Sequence, residues 1–196
     1  MSRDKFDTRT RILKTTQRLL EAGSSNSVRM SDIAKACGVS RQAVYLHFPT
    51  RAELLVATAR SIDEAENIDL RLTASRTALG GVDRLSAFIE AWGNYIPAVF
   101  GVAKALQDMK DNDPEAKAAW DDRMRALRHG CQAAVNAIVK DGLLNPQFRK
   151  KEAVDFLLTL ISVKNWEHLT KECGWSQRQY INSIRHAAES SLIKSR

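Results

Sequence analysis

The sequence predicts an all-α chain of about nine helices with a three-helix head at its N-terminus, and three observations carry the prediction. The 196 residues include only nine Gly and four Pro, which suits a few long helices better than many short strands. Apolar residues recur at three- and four-residue spacing, and nothing alternates for long at the period of a strand. Capping pairs also stand where helices should begin, at Thr50 with Glu53 and at Ser176 with Gln179.

The first helix is predicted over Thr8–Ala22, with Ile12, Leu13, Thr16, Leu19 and Leu20 on one face. Gly23 stops it and Ser24–Asn26 form a loop. A short helix over Met30–Cys37 turns Ile33, Ala34 and Cys37 inward. Gly38 follows, where a left-handed residue is wanted, and Val39 plugs the core. Ser40 caps a two-turn third helix over Arg41–His47, and Pro49 ends it. Helix, tight glycine turn and helix is the helix-turn-helix arrangement. Val44 and Phe48, four residues apart, form that helix's inner edge, leaving Arg41, Gln42, Ala43, Tyr45 and His47 outward.

Beyond the head, a fourth helix is expected from Thr50 to about Ser75, then a break at Gly80–Gly81. A helix near Val82–Val102 and a short one around Lys104–Lys110 come next. Asp113-Pro114 supplies an N-cap and an N1 proline for a helix ending at Gly142. A loop over 143–148, a long helix over Lys150–Cys173 and a last helix from Ser176 to near Ile193 complete the pattern.

Charge is unevenly placed. Of the net +7, the first 60 residues hold eleven Lys and Arg against five Asp and Glu, and the rest holds nineteen against eighteen. A basic excess focused in one third is the footprint of a polyanion partner. A basic first helix lying on a membrane surface, or a merely solvated face, would show the same excess. Charge by itself does not separate these. No run of about 18 apolar residues appears, so no spanning helix is expected. The polar stretch Met1–Asp7 lacks the apolar core of a secretion signal, which places the chain in the cytoplasm. Cys37, Cys131 and Cys173 are odd in number and lack a C-x-x-C spacing, so they are expected to be reduced, packed thiols; nothing in the sequence specifies redox sensing.

Residues 28–55 closely resemble the DNA-binding signature of the TetR family of transcriptional regulators. The anchors are Asp32-Ile33-Ala34, Gly38-Val39-Ser40, Tyr45-x-His47-Phe48 and Glu53-Leu54-Leu55. The likeness extends over roughly residues 9–60, with a weaker echo from Trp166 to Ser176. It implies a DNA-binding domain over 1–52 and a helical ligand-binding and dimerisation domain over 53–196. It implies a homodimer on double-stranded operator DNA, in most members a repressor, that responds to a small-molecule effector. Arg41 and Gln42 would then meet guanine and adenine edges, and Ala43 a thymine methyl. Tyr45 and His47 would meet phosphates. Thr50 and Arg51 would hold a phosphate at the fourth helix N-terminus. Arg29, where the family often has Thr, adds a cation near the backbone, and Ser31 reaches a base or phosphate.

The same resemblance pairs two copies through the last two helices, with Leu157, Leu158, Ile161 and Trp166 on one and Tyr180, Ile184 and Ala188 on the other. A mostly apolar effector pocket would draw on Trp92, Tyr95, Phe100 and Met109 of the middle helices, and on Trp120, Met124, Leu127 and Arg128. Plain core is the competing assignment for those aromatics, and a protein effector competes with a small molecule. Enzymatic function is not expected: His47, His129, His168 and His186 are scattered, and neither a metal-ligand set, G-x-S-x-G nor a phosphate-binding glycine loop occurs. No cofactor, metal or membrane partner is called for.

Overall fold

The computed structural model describes residues 2–22 and 28–194. Among them the chain is all helix, apart from one isolated bridge between Leu144 and Ile193. The elements are α1 (Ser2–Glu21), α2 (Met30–Cys37), α3 (Arg41–His47), α4 (Arg51–Ala65), α5 (Ile68–Arg71), α6 (Thr73–Thr77), α7 (Gly81–Met109), α8 (Pro114–Lys140), α9 (Lys150–Leu160), α10 (Val163–Glu167), a π-helical turn (His168–Glu172) and α11 (Gln177–Leu192). The expected stop at Gly23 and loop through Asn26 lie outside the described residues.

Four boundaries differ from expectation: α1 begins at Ser2 and not at Thr8, and the other three each depart for a local reason. The fourth helix ends at Ala65 because Asn67 takes a left-handed conformation (φ 50°, ψ 49°), which breaks the helical register. The helix expected over 82–102 and the short one after it are a single 29-residue α7 that runs through Pro97. The helix expected over 150–173 is cut at Ile161, where the Ser162 hydroxyl accepts the Asn165 amide and caps α10.

One compact unit is Met1–Glu66 with Ala98–Met124; the other is Asn67–Pro97 with Arg125–Arg196. In the first, Ile12, Ile33, Val44, Leu54 and Leu55 are fully buried. Each contributes about 1.5–3 kcal/mol by leaving water. Two buried hydroxyls are satisfied one turn back, Thr16 on the Ile12 carbonyl (2.9 Å) and Thr58 on that of Leu54 (2.8 Å). Gly38 ends α2 at φ 68°, and its amide and that of Val39 take up the last α2 carbonyls.

In the second unit the core is Leu85, Ile89 and Ile96 of α7, Cys131, Val135 and Ile138 of α8, and Leu157, Ile161 and Tyr180 beyond. Pro97 has no amide hydrogen, so the Gly93 carbonyl one turn earlier loses its helical partner. The Gln177 side-chain amide replaces it, donating to Gly93 O at 2.6 Å. The carbonyl end of the same side chain accepts the Trp166 indole N–H at 2.8 Å. Close approach here needs a glycine, since a Cβ on Gly93 would sit 2.6 Å from Ile181. No helix of the described residues is long and apolar enough to cross a membrane.

Candidate nucleic-acid interface

The head is built around the turn from α2 to α3. Arg29 precedes α2, and its backbone N–H donates to the Asp32 carboxylate at 3.2 Å. Ser40 caps α3 by accepting the Ala43 amide at 3.1 Å. The Thr50 hydroxyl caps α4 by accepting the Glu53 amide at 3.1 Å. With Val44 and Phe48 buried, α3 presents its other side to solvent.

Arg41 and Gln42 are exposed, and Tyr45 keeps 39% of its surface in water. The Arg41 guanidinium stands 5.7 Å from the Tyr45 ring centroid, a cation–π contact that orders an otherwise free side chain. Ala43 and His47 are half-buried on the flanks, with the His47 ring tilted against Phe48. Arg29, Ser31 and Thr50 are exposed. Arg29, Ser31, Arg41, Tyr45, Thr50 and Arg51 share one cleft of about 620 Å³ with Asp113 and Glu115. Sequence reasoning missed Leu46, a large apolar side chain 74% exposed on the same helix. Its position between Tyr45 and His47, away from the Val44–Phe48 edge, was the available signal.

Arg51 departs from expectation. Its side chain is only 10% exposed and is turned into the protein. Nε donates to the Val28 carbonyl and Nη1 to Asp113 Oδ2, both at 2.5 Å, and Nη2 lies 3.9 Å from Met109 Sδ. Glu115 stands 3.8 Å from the same guanidinium. Glu115 also accepts the Ala52 amide of the α4 first turn at 3.2 Å. The anion expected at the start of α4 is therefore present, and it is a pair of carboxylates from this chain. Burial pushes the Asp113 carboxyl up, but the Ala116 amide and the Arg51 guanidinium outweigh it and hold the group below the ordinary carboxylate range.

Further along α4 the lacing continues. Arg60 pairs with Asp122 at 2.9 Å, and Asp63 pairs with Arg123. Arg123 also donates to Asp122 at 2.9 Å. Burial works against the Arg123 charge, yet Asp63 and Asp122 raise its pKa overall.

The expected pocket residues fall into both packing units. In the first, Met109 is buried beside Arg51, while Phe100, Trp120 and Met124 are half-buried. In the second, Trp92 donates its indole N–H to the Ile161 carbonyl at 2.7 Å and leans on Tyr95, ring centroids 5.6 Å apart. Tyr95 and Leu127 are buried there, and Arg128 pairs with Asp155 at 2.6 Å. A cleft of about 330 Å³ in that unit is lined by Glu90, Asn94, Gln177, Arg178, Ile181, Asn182 and Arg185, a polar set that uses none of them.

The expected dimer residues are largely buried within the single chain. Leu157, Ile161, Trp166, Tyr180, Ile184 and Ala188 are each at most 6% exposed in the single chain. Within the single chain these side chains are already out of water and contribute to its core. Leu158 is half-buried. Outward on α11 stand Arg178, Gln179, Asn182, His186 and Ser190.

Comparison with known proteins agrees with this geometry. Residues 12–58 match the family model of the tetR family of bacterial regulatory proteins. A nucleoid occlusion factor, SlmA of Marinomonas sp. strain MWYL1, is 35% identical over 65 residues, and the match spans a third of each chain. A transcriptional regulator from Saccharomonospora viridis, solved in complex with choline, is 20% identical, with a TM-score of 0.74 over 96% of this chain and 99% of that one. NalD, the secondary repressor of the MexAB-OprM multidrug efflux pump in Pseudomonas aeruginosa, is 19% identical, with a TM-score of 0.70 over 98% and 99%. The head over residues 12–58 thus carries the tetR-family signature, and the chain is similar in fold to solved transcriptional regulators of that family along nearly its whole length.

Proposed function

We propose that this regulator is a cytoplasmic repressor that binds a pseudo-palindromic operator as a homodimer and releases it when a small molecule binds among the helices beyond residue 52. The observation that carries the DNA-reading half is the exposed edge of α3. Arg41, Gln42 and Tyr45 stand in water beside Arg29, Ser31 and Thr50 on the most basic third of the chain. A helix presented this way fits a major groove about 12 Å wide. Arg41 and Gln42 read bases, Ala43 and Leu46 meet apolar base edges, and Tyr45, His47, Thr50 and Arg29 hold phosphates. Two heads about 34 Å apart then read two half-sites.

Effector binding is supported by the choline complex of the Saccharomonospora viridis regulator, and a repressor role by the likeness to NalD. A small apolar or cationic molecule enclosed by aromatic side chains such as Trp92 and Tyr95, or Trp120, suits the residues available. The link to the head is the lacing of α4 to α8: an effector that shifts α8 changes how firmly Asp113 and Glu115 hold the start of α4. The dimer uses the outward side of α9 and α11.

The test is operator selection from genomic DNA, followed by titration of the selected fragment against random DNA at fixed salt. Arg41→Ala is expected to weaken binding by about 1–3 kcal/mol at one base position. Equal weakening on every sequence would show that Arg41 only meets phosphate and would remove it as a specificity residue. Sedimentation as a monomer at micromolar concentration would remove the dimer.

A further inference from the structure

Beyond the head and its effector helices, three side chains at the end of α10 form an arrangement that the DNA-binding function does not use. Cys173 Sγ lies 3.6 Å from His168 Nε2, and His168 Nδ1 lies 2.8 Å from Glu172 Oε2. Cys173 is exposed, and the His168 and Glu172 side chains are 62% and 64% exposed. In a regular α-helix, residues five apart point roughly 140° away from each other, so His168 and Cys173 would not meet. Here the chain makes a π turn over His168–Glu172. The Cys173 amide donates to the His168 carbonyl at 2.9 Å. That i→i+5 bond brings the fifth residue back over the first. The turn carries the poorer hydrogen-bond geometry of a π-helix, and what it assembles is a thiol, an imidazole and a carboxylate in a row.

The proton positions follow from the chemistry of the partners. A carboxylate only accepts, so His168 Nδ1 carries the hydrogen it shares with Glu172. In that tautomer Nε2 is the acceptor available to the Cys173 S–H. Nucleophile, base and base-orienting group within hydrogen-bond reach is the arrangement that activates a thiol. The other two thiols lack it. Cys37 and Cys131 are buried, and burial pushes the Cys131 thiol up to about 12.

We propose that Cys173 is a modification site that takes low-molecular-weight disulfides by thiol–disulfide exchange. His168 Nε2 accepts the thiol proton as Sγ attacks one sulfur of the disulfide. The new bond joins Sγ to that sulfur, the original S–S bond breaks, and the leaving thiolate takes the proton back from the imidazolium. The protein ends as a mixed disulfide and the reagent as one thiol. No other oxidant or reductant enters, and His168 returns to its starting state. Glu172 positions the imidazole and stabilises its charge.

The test uses the full chain with dithiobis(nitrobenzoate), followed by the absorbance of the released thiolate. One of the three thiols is expected to react in a fast phase, at pH 7 about tenfold faster than N-acetylcysteine. Cys173→Ser removes that phase. His168→Gln slows it about tenfold, and Glu172→Gln about threefold. Between about pH 6 and 8 the wild-type and His168→Gln rates should follow different pH profiles, because only the wild-type chain has an imidazole to take the thiol proton. A merely structural histidine would not move that profile. Glu172→Gln reports the same dependence should His168→Gln fail to match the wild-type melting curve. A fast phase that survives in Cys173→Ser, or pH profiles of wild type and both variants that superimpose, would overturn the proposal.

Discussion

Releasing Arg51 from its carboxylates should tighten operator binding, and the double variant Asp113→Asn with Glu115→Gln tests this. Asp113 does two jobs: Oδ2 holds Arg51, while Oδ1 accepts the amides of Glu115 and Ala116 at 3.1 Å each and caps α8. Asn keeps an oxygen for the cap and removes the charge. Glu115→Gln removes the second anion from the Ala52 amide. The α4 N-terminus, with its dipole and one guanidinium, then has a vacant anion preference that a DNA phosphate can meet. A charge-assisted hydrogen bond contributes about 1.5–3 kcal/mol, and ordering the arginine on DNA offsets part of it. The expected gain is about tenfold per head, with the salt dependence steeper by about 0.9 per added phosphate. The free protein should lose about 1–2 kcal/mol, since Arg51, 10% exposed, keeps Val28 O but loses both charged partners. The assay is fluorescence anisotropy on the selected operator at four salt concentrations, with thermal melts of free protein alongside. Weaker operator binding by the variant, or an unchanged salt slope, would refute the competition between Glu115, Asp113 and phosphate.

Other outcomes follow from single contacts. Gln177→Ala strands both the Gly93 carbonyl and the Trp166 indole N–H; unfolding in urea should show a loss of about 2–4 kcal/mol, two orphaned groups at 1–2 each. Tyr180→Phe should leave stability unchanged or raise it by about 1 kcal/mol, because the buried Tyr180 hydroxyl has no hydrogen-bond partner among the described residues. Acid should weaken the Arg51 tie with a definite sign. Asp113 is held below its ordinary value, so its contribution is complete above about pH 4 and fades only as pH falls through the lower folded value. Chemical melts between pH 2 and 6 should show wild type and Asp113→Asn converging at the acid end.

Much of the fold was legible because its determinants are local. Ser40 and Thr50 cap α3 and α4 as their positions require, and Gly38 supplies the left-handed residue between α2 and α3. Val44 and Phe48 four apart identified the buried edge of α3, so the exposed set Arg41, Gln42 and Tyr45 followed from periodicity. What failed depended on partners distant in sequence. The helix expected over 82–102 runs on to Met109, and Gln177, 80 residues beyond Pro97, makes good the hydrogen bond that Pro97 removes inside it. Tyr180, Ile184 and Ala188 form an apolar stripe that suits a partner chain or the protomer's own core equally well, and only three-dimensional packing chose the core. His168 and Cys173 are five apart, a spacing that an α-helix keeps separate and a π turn brings together.

At the start of α4 the free chain already supplies an anion of its own. A helix N-terminus beside an arginine attracts an anion, and that argument placed a phosphate at Thr50 and Arg51. An anion does sit there, supplied by Asp113 and Glu115 from 62 and 63 residues away. Both kinds of anion want the same amide and the same guanidinium, so they exclude each other. That exclusion fixes the sign of the coupling. On the proposed reading, an effector that holds α8 more firmly against α4 is expected to weaken DNA binding, and one that withdraws Asp113 to strengthen it. A repressor released by its ligand therefore requires a ligand that favours the carboxylate-bound state, with a preference of about 2.7 kcal/mol between states for each hundredfold loss of operator affinity.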